Sequence, residues 1–265
     1  MSIVIMVGGT STDANPEHRY LVQQFIEHFG DRVTGIITTN PVRYSVKQKI
    51  QRQIKRGQYI ERIRRLLYNR QAEAPLANLE KHLFPADAPT TVPGGSRVHA
   101  VSGHNAPDCI DLLKKLAPDV IVVYGTAIIR EQVVEQARLI TLNMHTGLSP
   151  WYRGDSTLFW PVYYNQVDKL GVTVHELTPT VDGGDIAYTG LVEYSRGDDE
   201  AAIFGKGVRT GTELYINAVQ QALDGTLTLH PQDLNLGREF RWIHRTVAAE
   251  KKVIETLKDW AKTAS

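Results

Sequence analysis

Residues 139–154 read LITLNMHTGLSPWYRG, and residues 171–186 read GVTVHELTPTVDGGDI. The apolar run over residues 139–142 is typical of a strand that is covered on both faces. Asn143 and His145 follow at the spacing of one strand face, so both side chains are expected at the strand's carboxyl end. In open α/β sheets this end is where ligands bind.

Two turns are predicted to bring a carboxylate to the same place. Pro150 and Gly154 stiffen and turn the chain after the strand, and residues 182–185 (Asp-Gly-Gly-Asp) form a second tight turn. Asp182 is therefore expected near the end of the first strand. An amide, an imidazole and a carboxylate would meet there.

The two stretches resemble formyltransferases that use a formyl-tetrahydrofolate donor. That family has an Asn-x-His sequence, a loop with Pro and a basic-Gly pair, and a Gly-Val-Thr strand before an Asp-x-Gly-Asp turn. The loop over residues 146–149 departs from the His-Pro-Ser-Leu-Leu-Pro of many relatives, and this difference bears on the acceptor. The matching positions are Asn143, His145, Pro150, Arg153-Gly154, Gly171 to His175, Asp182, Gly184 and Asp185.

Formyl transfer to an amine needs hydrogen-bond donors for the carbonyl oxygen and a route for a proton. Asn143 and His145 supply donors, while Asp182 holds the imidazole or takes the proton through water. The resemblance implies that these three residues are catalytic in the same roles. Taken singly, each also has a structural interpretation: a turn cap, a satisfied buried histidine and a turn residue.

The resemblance further implies that the pteridine ring of N10-formyltetrahydrofolate binds between two loops, largely through backbone groups. A metal is not expected, because the nine histidines show no HExxH spacing and the single cysteine, Cys109, cannot build a thiolate site. Cys109 is predicted to be a small buried residue on a helix. The residues implied to bind the donor are Tyr124, Gly125, Thr126, Ala127, Ile128, Thr178, Val181 and Gly183.

A nucleotide-linked amino sugar of the 4-amino-4,6-dideoxy type is the favoured acceptor, for synthesis of O-antigen lipopolysaccharide or another surface polysaccharide. Purine-pathway enzymes of this kind lack a long basic insertion, and the tRNA enzymes carry a C-terminal β-barrel that forty residues ending in a helix cannot supply. Four alternatives stay open: methionyl-tRNA as the acceptor, ribotide glycinamide as the acceptor, hydrolysis of the donor, and a noncatalytic binding module.

Several residues near predicted strand ends and turns are candidates for binding the acceptor. Structural alternatives are a plain turn at the glycine pair and loop capping by the histidine and asparagine. The candidates are Gly8, Gly9, His104, Asn105, Trp151, Tyr152 and Arg153.

Residues 43–70 contain ten Lys or Arg and one acidic residue, Glu61. Apolar residues recur in this stretch at helical spacing, which predicts two amphipathic helices hinged near Gly57. The stretch is interpreted either as a solvated basic face or as a contact for a nucleotide diphosphate, RNA or a membrane surface.

Strands and helices alternate along the whole chain, which predicts an α/β fold with a Rossmann-like, mostly parallel sheet. We expect a catalytic domain over residues 1–225, with the basic helical insertion, and a C-terminal helical appendage over residues 226–265. A net charge of +1 argues against general binding of nucleic acid. The apolar start predicts a strand and not a signal peptide, and no stretch reaches the length of a membrane span. We expect a cytoplasmic protein whose oligomeric state is open.

Overall fold

The computed structural model describes residues 1–12, 14–40, 64, 67, 76 and 78–263 of the 265-residue chain. Numbered in chain order, the strands are β1 (Ile3–Val7), β2 (Val33–Thr39), β3 (Val98–Val101), β4 (Val120–Tyr124), β5 (Ile140–His145), β6 (Tyr152–Gly154), β7 (Gly171–Glu176), β8 (Ile186–Leu191) and β9 (Arg238–Phe240). The α-helices are α1 (Pro16–Phe29), α2 (Leu79–Leu83), α3 (Pro107–Leu116), α4 (Glu131–Val134), α5 (Phe159–Tyr163), α6 (Glu200–Asp224) and α7 (Val247–Thr263).

The main sheet joins seven strands in the order β3-β2-β1-β4-β5-β7-β8. Neighbouring strands from β3 to β5 are parallel, so the predicted mostly parallel α/β sheet is confirmed. β7 and β8 instead run antiparallel to their neighbours. The sequence did not reveal this difference, because a buried strand has the same apolar pattern in either direction. The carboxyl ends of β1, β4 and β5 form one edge of the sheet, where ligands bind in folds of this kind.

Helices cover both faces of the parallel strands. Ile3, Ile5 and Val7 of β1 face α1 and α6, whereas Val4 and Met6 face α3 and α4 on the other side. This alternation follows from the two-residue period of a strand. Every residue of β1 and β4 is buried, which explains why both strands read as continuous apolar runs.

The chain after α6 returns to the edge of the sheet that carries ligands in related folds. β9 pairs in parallel with β6, and α7 packs against α5 through a cluster that includes Phe159 and Val253. The C-terminal appendage predicted as helical over residues 226–265 therefore also contains a strand, which the sequence did not reveal because three residues are too few to show an alternation. The boundary between domains at residue 225 stays a prediction.

The predicted basic helices over residues 43–70 lie outside the described residues, with the exception of Arg64 and Leu67. The short helix α2 follows this basic stretch in the chain. Within the described ranges, no helix combines the length and the apolar character that crossing a bilayer requires.

Candidate active site

The structure brings the predicted amide, imidazole and carboxylate together. Asn143 and His145 leave the same face of β5 at its carboxyl end, and Asp182 follows β7. Asp182 Oδ2 lies 3.3 Å from His145 Nδ1, and the carbonyl oxygen of Tyr152 lies 2.8 Å from His145 Nε2. In the imidazolium form, both N–H groups of His145 therefore face an oxygen acceptor.

A fourth polar side chain, His175, completes the cluster. β7 pairs with β5 in the register Asn143 to His175, so the two side chains lie side by side. His175 Nδ1 lies 2.7 Å from the Glu176 carbonyl oxygen, and its Nε2 lies 3.1 Å from Asn143 Nδ2 and 3.5 Å from Asp182 Oδ1. From the sequence, His175 was recognised only as part of the Gly-Val-Thr strand that matches the family. Its position beside Asn143 depends on an antiparallel strand pairing that the apolar pattern does not specify.

Asp182 sits in a turn that aims its carboxylate at both histidines. Its φ of 46° lies in the left-handed region, which an aspartate adopts more readily than most residues. The backbone N–H of Gly154 donates to Asp182 Oδ2 at 2.8 Å, so the carboxylate is also fixed from the opposite side. The two predicted turns, around Gly154 and Asp182, thus meet directly.

The pKa of Asp182 lies well below its ordinary value. Burial by itself would raise that pKa, but the charge of His145 and the hydrogen bond and charge of His175 outweigh it, with a further contribution from the Gly154 N–H. A depressed folded-state pKa stabilises the fold at every pH above the unfolded value of about 3.9. This contribution is lost as the pH falls through the lower folded-state pKa.

Tyr215 of α6 positions the end of β5 from below the sheet. Its fully buried hydroxyl accepts from the Val123 N–H at 2.8 Å and donates to the Leu142 carbonyl at 2.5 Å. Val123 is paired with Asn143 in the register of the two strands. In an undisturbed parallel ladder of this register, the Val123 amide would donate directly to the Leu142 carbonyl. The hydroxyl therefore bridges the two strands at the rung that directly precedes the catalytic candidate Asn143.

The cluster opens into a cleft of about 1140 Å³. Gly183 lies in the Asp182 turn but is not among the lining residues. Ile128 is 72% exposed, so one wall offers apolar surface to a ligand. The predicted donor-binding residues that line the cleft are Tyr124, Gly125, Thr126, Ala127, Ile128, Thr178 and Val181.

The candidates for acceptor binding at the other strand ends serve the scaffold in this structure. A Cβ on Gly8 would lie 2.1 Å from the Gly125 carbonyl oxygen, so the glycine allows β1 and β4 to approach closely. The Asn105 amide donates to the Ile128 carbonyl at 2.8 Å, and its Oδ1 accepts from the Arg130 N–H at 2.7 Å. Asn105 thus caps the loop that forms the apolar wall, which is the structural alternative considered above.

The other five candidates lie outside the cleft lining, as do Gly8 and Asn105. His104 is buried, and Gly9 accepts from the Thr39 N–H at 2.9 Å through its carbonyl oxygen. The remaining three candidates, residues 151–153, follow β5 in the turn that leads to and includes the start of β6. Lys169 Nζ lies over the Trp151 ring, the Tyr152 ring stacks on Phe240, and Arg153 donates to the Leu234 carbonyl. These side chains contact protein, because β9 covers the turn that carries them.

A second wall of the cleft comes from the C-terminal segment, defined here as residues 226–263. Residues 239–243 and Arg245 line the same cleft as the loop of Ile128. Trp242 and Ile243 are 49% and 47% exposed, so this wall also offers apolar surface. Sequence reasoning missed this wall, although two large apolar residues in a polar stretch were a signal. Among the described residues, no group of His, Cys, Asp or Glu side chains is arranged to hold a metal ion.

Residues 1–219 match the family model described as formyl transferase. A methionyl-tRNA formyltransferase of Sulfurihydrogenibium sp. (strain YO3AOP1) is 30% identical over 131 residues, which are 49% of this chain and 42% of that protein. The match covers less than half of the length of such curated relatives.

Two solved structures are similar over nearly the whole chain. A sugar N-formyltransferase from Shewanella sp FDAARGOS_354 has a TM-score of 0.60 at 12% identity, covering 97% of this chain and 88% of that one. The formyltransferase PseJ from Anoxybacillus kamchatkensis, in complex with UDP-4,6-dideoxy-4-formamido-L-AltNAc and tetrahydrofolate, has a TM-score of 0.51 at 16% identity, covering 98% and 94%. At these identities the likeness shows a shared fold.

Proposed function

The chain belongs to the formyl transferase family, and on that premise we propose that it transfers the formyl group of N10-formyltetrahydrofolate to an amine. The observation that carries the proposal is the contact of His145 with Asp182 beside Asn143, where all three residues line a cleft of about 1140 Å³. A cleft of this size exceeds the roughly 300–1,000 Å³ of a typical site for one small molecule. It therefore has room for a donor and an acceptor side by side.

The chemistry follows from the positions of these groups. The lone pair of a deprotonated amine attacks the formyl carbon, a C–N bond forms, and negative charge develops on the formyl oxygen. Asn143 supplies an N–H donor for that oxygen, and His145 adds a second one when its Nε2–H turns from the Tyr152 carbonyl oxygen to the substrate. These are the interactions expected to stabilise the transition state. The bond from carbon to the donor nitrogen then breaks. Asp182 takes the proton that the amine loses, through His145 or water, and the released folate gains a proton.

The donor is proposed to lie between the loop of residues 124–128 and the turn of residues 178–183. Both line the cleft next to the catalytic candidates, apart from Gly183, and both expose backbone groups at strand ends. The exposed Ile128 supplies an apolar surface for a flat pteridine ring. We propose no metal, since the carbonyl oxygen already has donors in Asn143 and His145.

The acceptor is proposed to be a nucleotide-linked amino sugar of the 4-amino-4,6-dideoxy type. The likeness to sugar N-formyltransferases extends over 97–98% of this chain, including the C-terminal segment that forms the second wall. Trp242 on that wall offers an aromatic surface on which a base or a sugar ring can stack. A role in surface-polysaccharide synthesis, at the cytoplasmic stage where nucleotide sugars are modified, is part of this proposal.

Recognition of the diphosphate by the basic stretch over residues 43–70 remains a proposal from sequence. A second candidate acceptor is methionyl-tRNA, because curated relatives that match by sequence are methionyl-tRNA formyltransferases. Their match covers less than half of their length, so it favours the shared chemistry over the shared acceptor.

The proposal is tested by offering the purified protein a donor with an isotope-labelled formyl carbon and a panel of acceptors. The panel contains nucleotide-linked amino sugars with uridine, thymidine and guanosine, the free amino sugars, methionyl-tRNA and ribotide glycinamide. We expect labelled formamide on a nucleotide-linked sugar, and a far lower kcat/KM for the free sugar, whose missing nucleotide no longer positions the amine. Equal kcat/KM for both forms, or a preference for methionyl-tRNA, would contradict the acceptor. Release of labelled formate without any acceptor would instead indicate hydrolysis.

A further inference from the structure

The C-terminal segment reaches the turn of Asp182 as well as the cleft wall. His230 and Ile186 exchange backbone hydrogen bonds of 2.8 and 2.9 Å, which fixes residues 230–232 beside the start of β8. This start is the exit of the turn that carries Asp182. Gln232 is therefore placed against the turn by backbone bonds that do not involve its side chain.

The Gln232 side chain bonds the turn on both sides of its tip. Its Nε2 donates to the Asp182 carbonyl at 3.0 Å and to the Gly184 carbonyl at 2.5 Å. Both neighbours are acceptors, so the amide nitrogen must face them, and each of its two protons has a partner. On the opposite side, a Cβ on Gly184 would lie 2.0 Å from the Glu176 carbonyl oxygen. The turn is thus held between the end of β7 and the Gln232 amide.

The turn needs such support because Asp182 has a φ of 46°. A residue other than glycine is strained in this region and persists only where its surroundings hold it. The orientation of the carboxylate depends on that backbone conformation, because the side chain is short. The conformation in question places Asp182 Oδ2 3.3 Å from His145 and Oδ1 3.5 Å from His175.

We propose that Gln232 is a positioning residue for formyl transfer: its amide holds the Asp182 turn in the conformation that keeps the carboxylate against His145 and His175. The role in transfer rests on the proposed function, whereas the geometric effect does not. Gln232 lies beyond residues 1–219, the part that matches the family model. A catalytic carboxylate within the matched part is therefore held by a residue outside it.

The test uses Gln232→Met, which keeps the length of the side chain and removes both donors. The matched control is Gln220→Met on α6, since Gln220 is half-buried and its amide donates to the nearby Asp224 in a solvent-exposed hydrogen bond of 2.8 Å. For each protein, the ring signals of 15N-labelled histidine are recorded by NMR, with His145 and His175 assigned from His145→Gln and His175→Gln. Kinetics are measured with the labelled donor and the acceptor that the panel identifies.

We expect Gln232→Met to shift the ring signals of His145 and His175 and to lower kcat about tenfold, with the KM for the donor within about twofold of wild type. The pH at which kcat is half-maximal should move as well, because the imidazole loses part of the field of the carboxylate. Gln220→Met should leave all of these quantities unchanged. A residue that only stabilised the loop would lower the melting temperature without moving the histidine signals or the pH profile.

Unchanged ring signals in a folded Gln232→Met protein would overturn the proposal, whatever the activity. If Gln232→Met does not fold, Gln232→Asn replaces it, because an amide one methylene shorter cannot reach both carbonyls and the same shifts are expected. If the wild type transfers no formyl group to any acceptor, the proposed function fails. The NMR comparison still decides whether Gln232 positions the carboxylate.

Discussion

The side of the cleft formed by β5 and the wall formed by the C-terminal segment are held in different ways. The candidate catalytic residues Asn143 and His145 belong to β5, which is hydrogen-bonded to β4 on one side and β7 on the other. The C-terminal wall is joined to the fold by β9, a strand of three residues that forms a separate two-stranded sheet with β6, and by the bridge between His230 and Ile186. The β5 side is therefore held firmly as part of the main sheet. The C-terminal wall depends on β9, on the packing of α7 and on a few side-chain contacts.

Arg245 is the principal tie of the C-terminal wall. Its guanidinium contacts Glu200 at 2.8 Å and Glu250 at 2.7 Å, and it lies over the Phe159 ring at 4.1 Å. It thereby joins α7 to the first turn of α6. Burial raises the pKa of the Glu200 carboxyl, and the positive charge of Arg245 opposes that rise.

Removing that cation should have the largest effect. Arg245→Met leaves two carboxylates buried together, and breaking a buried ion pair on one side costs about 3–5 kcal/mol of unfolding free energy. Denaturant unfolding measures this loss. Lys262→Met is the control, because the pair of Lys262 with Asp259 is solvent-exposed and should contribute at most about 1 kcal/mol. Similar losses of unfolding free energy in both variants would show that Arg245 does not anchor this wall.

The next largest effect is expected from removing a candidate catalytic side chain on β5. His145→Ala should lower kcat by about 100-fold or more, a typical cost of removing a donor that acts in the transition state. Binding of the donor, measured by titration, should change little, because the donor is expected to contact the backbone of the flanking loops. Near-normal turnover would remove His145 from the mechanism.

Tyr215→Phe tests the rung below Asn143. The change leaves a buried amide of Val123 and a buried carbonyl of Leu142 without their partner, so the unfolding free energy should fall by about 1–3 kcal/mol. Tyr164→Phe is the control, since the Tyr164 side chain is 41% exposed. Equal stability of wild type and Tyr215→Phe would show that the two strands pair directly without the hydroxyl.

The smallest effect is expected on the acceptor side. Trp242→Ala should raise the KM for the acceptor about threefold to tenfold, with kcat and donor affinity retained, because it removes stacking surface without touching the catalytic groups. Trp242→Phe should recover most of the affinity. Leu191→Ala, at an apolar residue that is 66% exposed on the edge strand β8, provides a control outside the cleft. A fall in donor affinity in Trp242→Ala would assign this wall to the folate instead.

The same two regions differ in how far the sequence predicts them. The strands of the parallel core can be predicted from the sequence because burial on both faces leaves a continuous apolar run, as in Ile3–Val7. The meeting of His145 and Asp182 was predicted because a strand end and two rigid turns constrain the path of the chain. Both signals are local in sequence.

What escaped prediction depends on contacts between distant residues. The placement of His175 follows from the antiparallel pairing of β5 with β7, and that of Gln232 from a return of the chain about fifty positions after Asp182. No local pattern specifies which strand a segment joins or which carbonyl an amide meets. Trp151 and Arg153 show the reverse case, since residues that resembled a binding loop are covered by β9.

The most direct test of the central claim is single-turnover transfer of a labelled formyl group by Asp182→Asn and by wild type. The substitution keeps the size of the side chain and an oxygen for the Gly154 N–H, but it removes the charge that faces His145. If Asp182 acts with His145 in formyl transfer, both proteins should bind the donor with similar affinity, and the label should reach the acceptor about 100-fold more slowly in Asp182→Asn. Equal transfer rates would contradict the assignment of catalysis to this edge of the sheet.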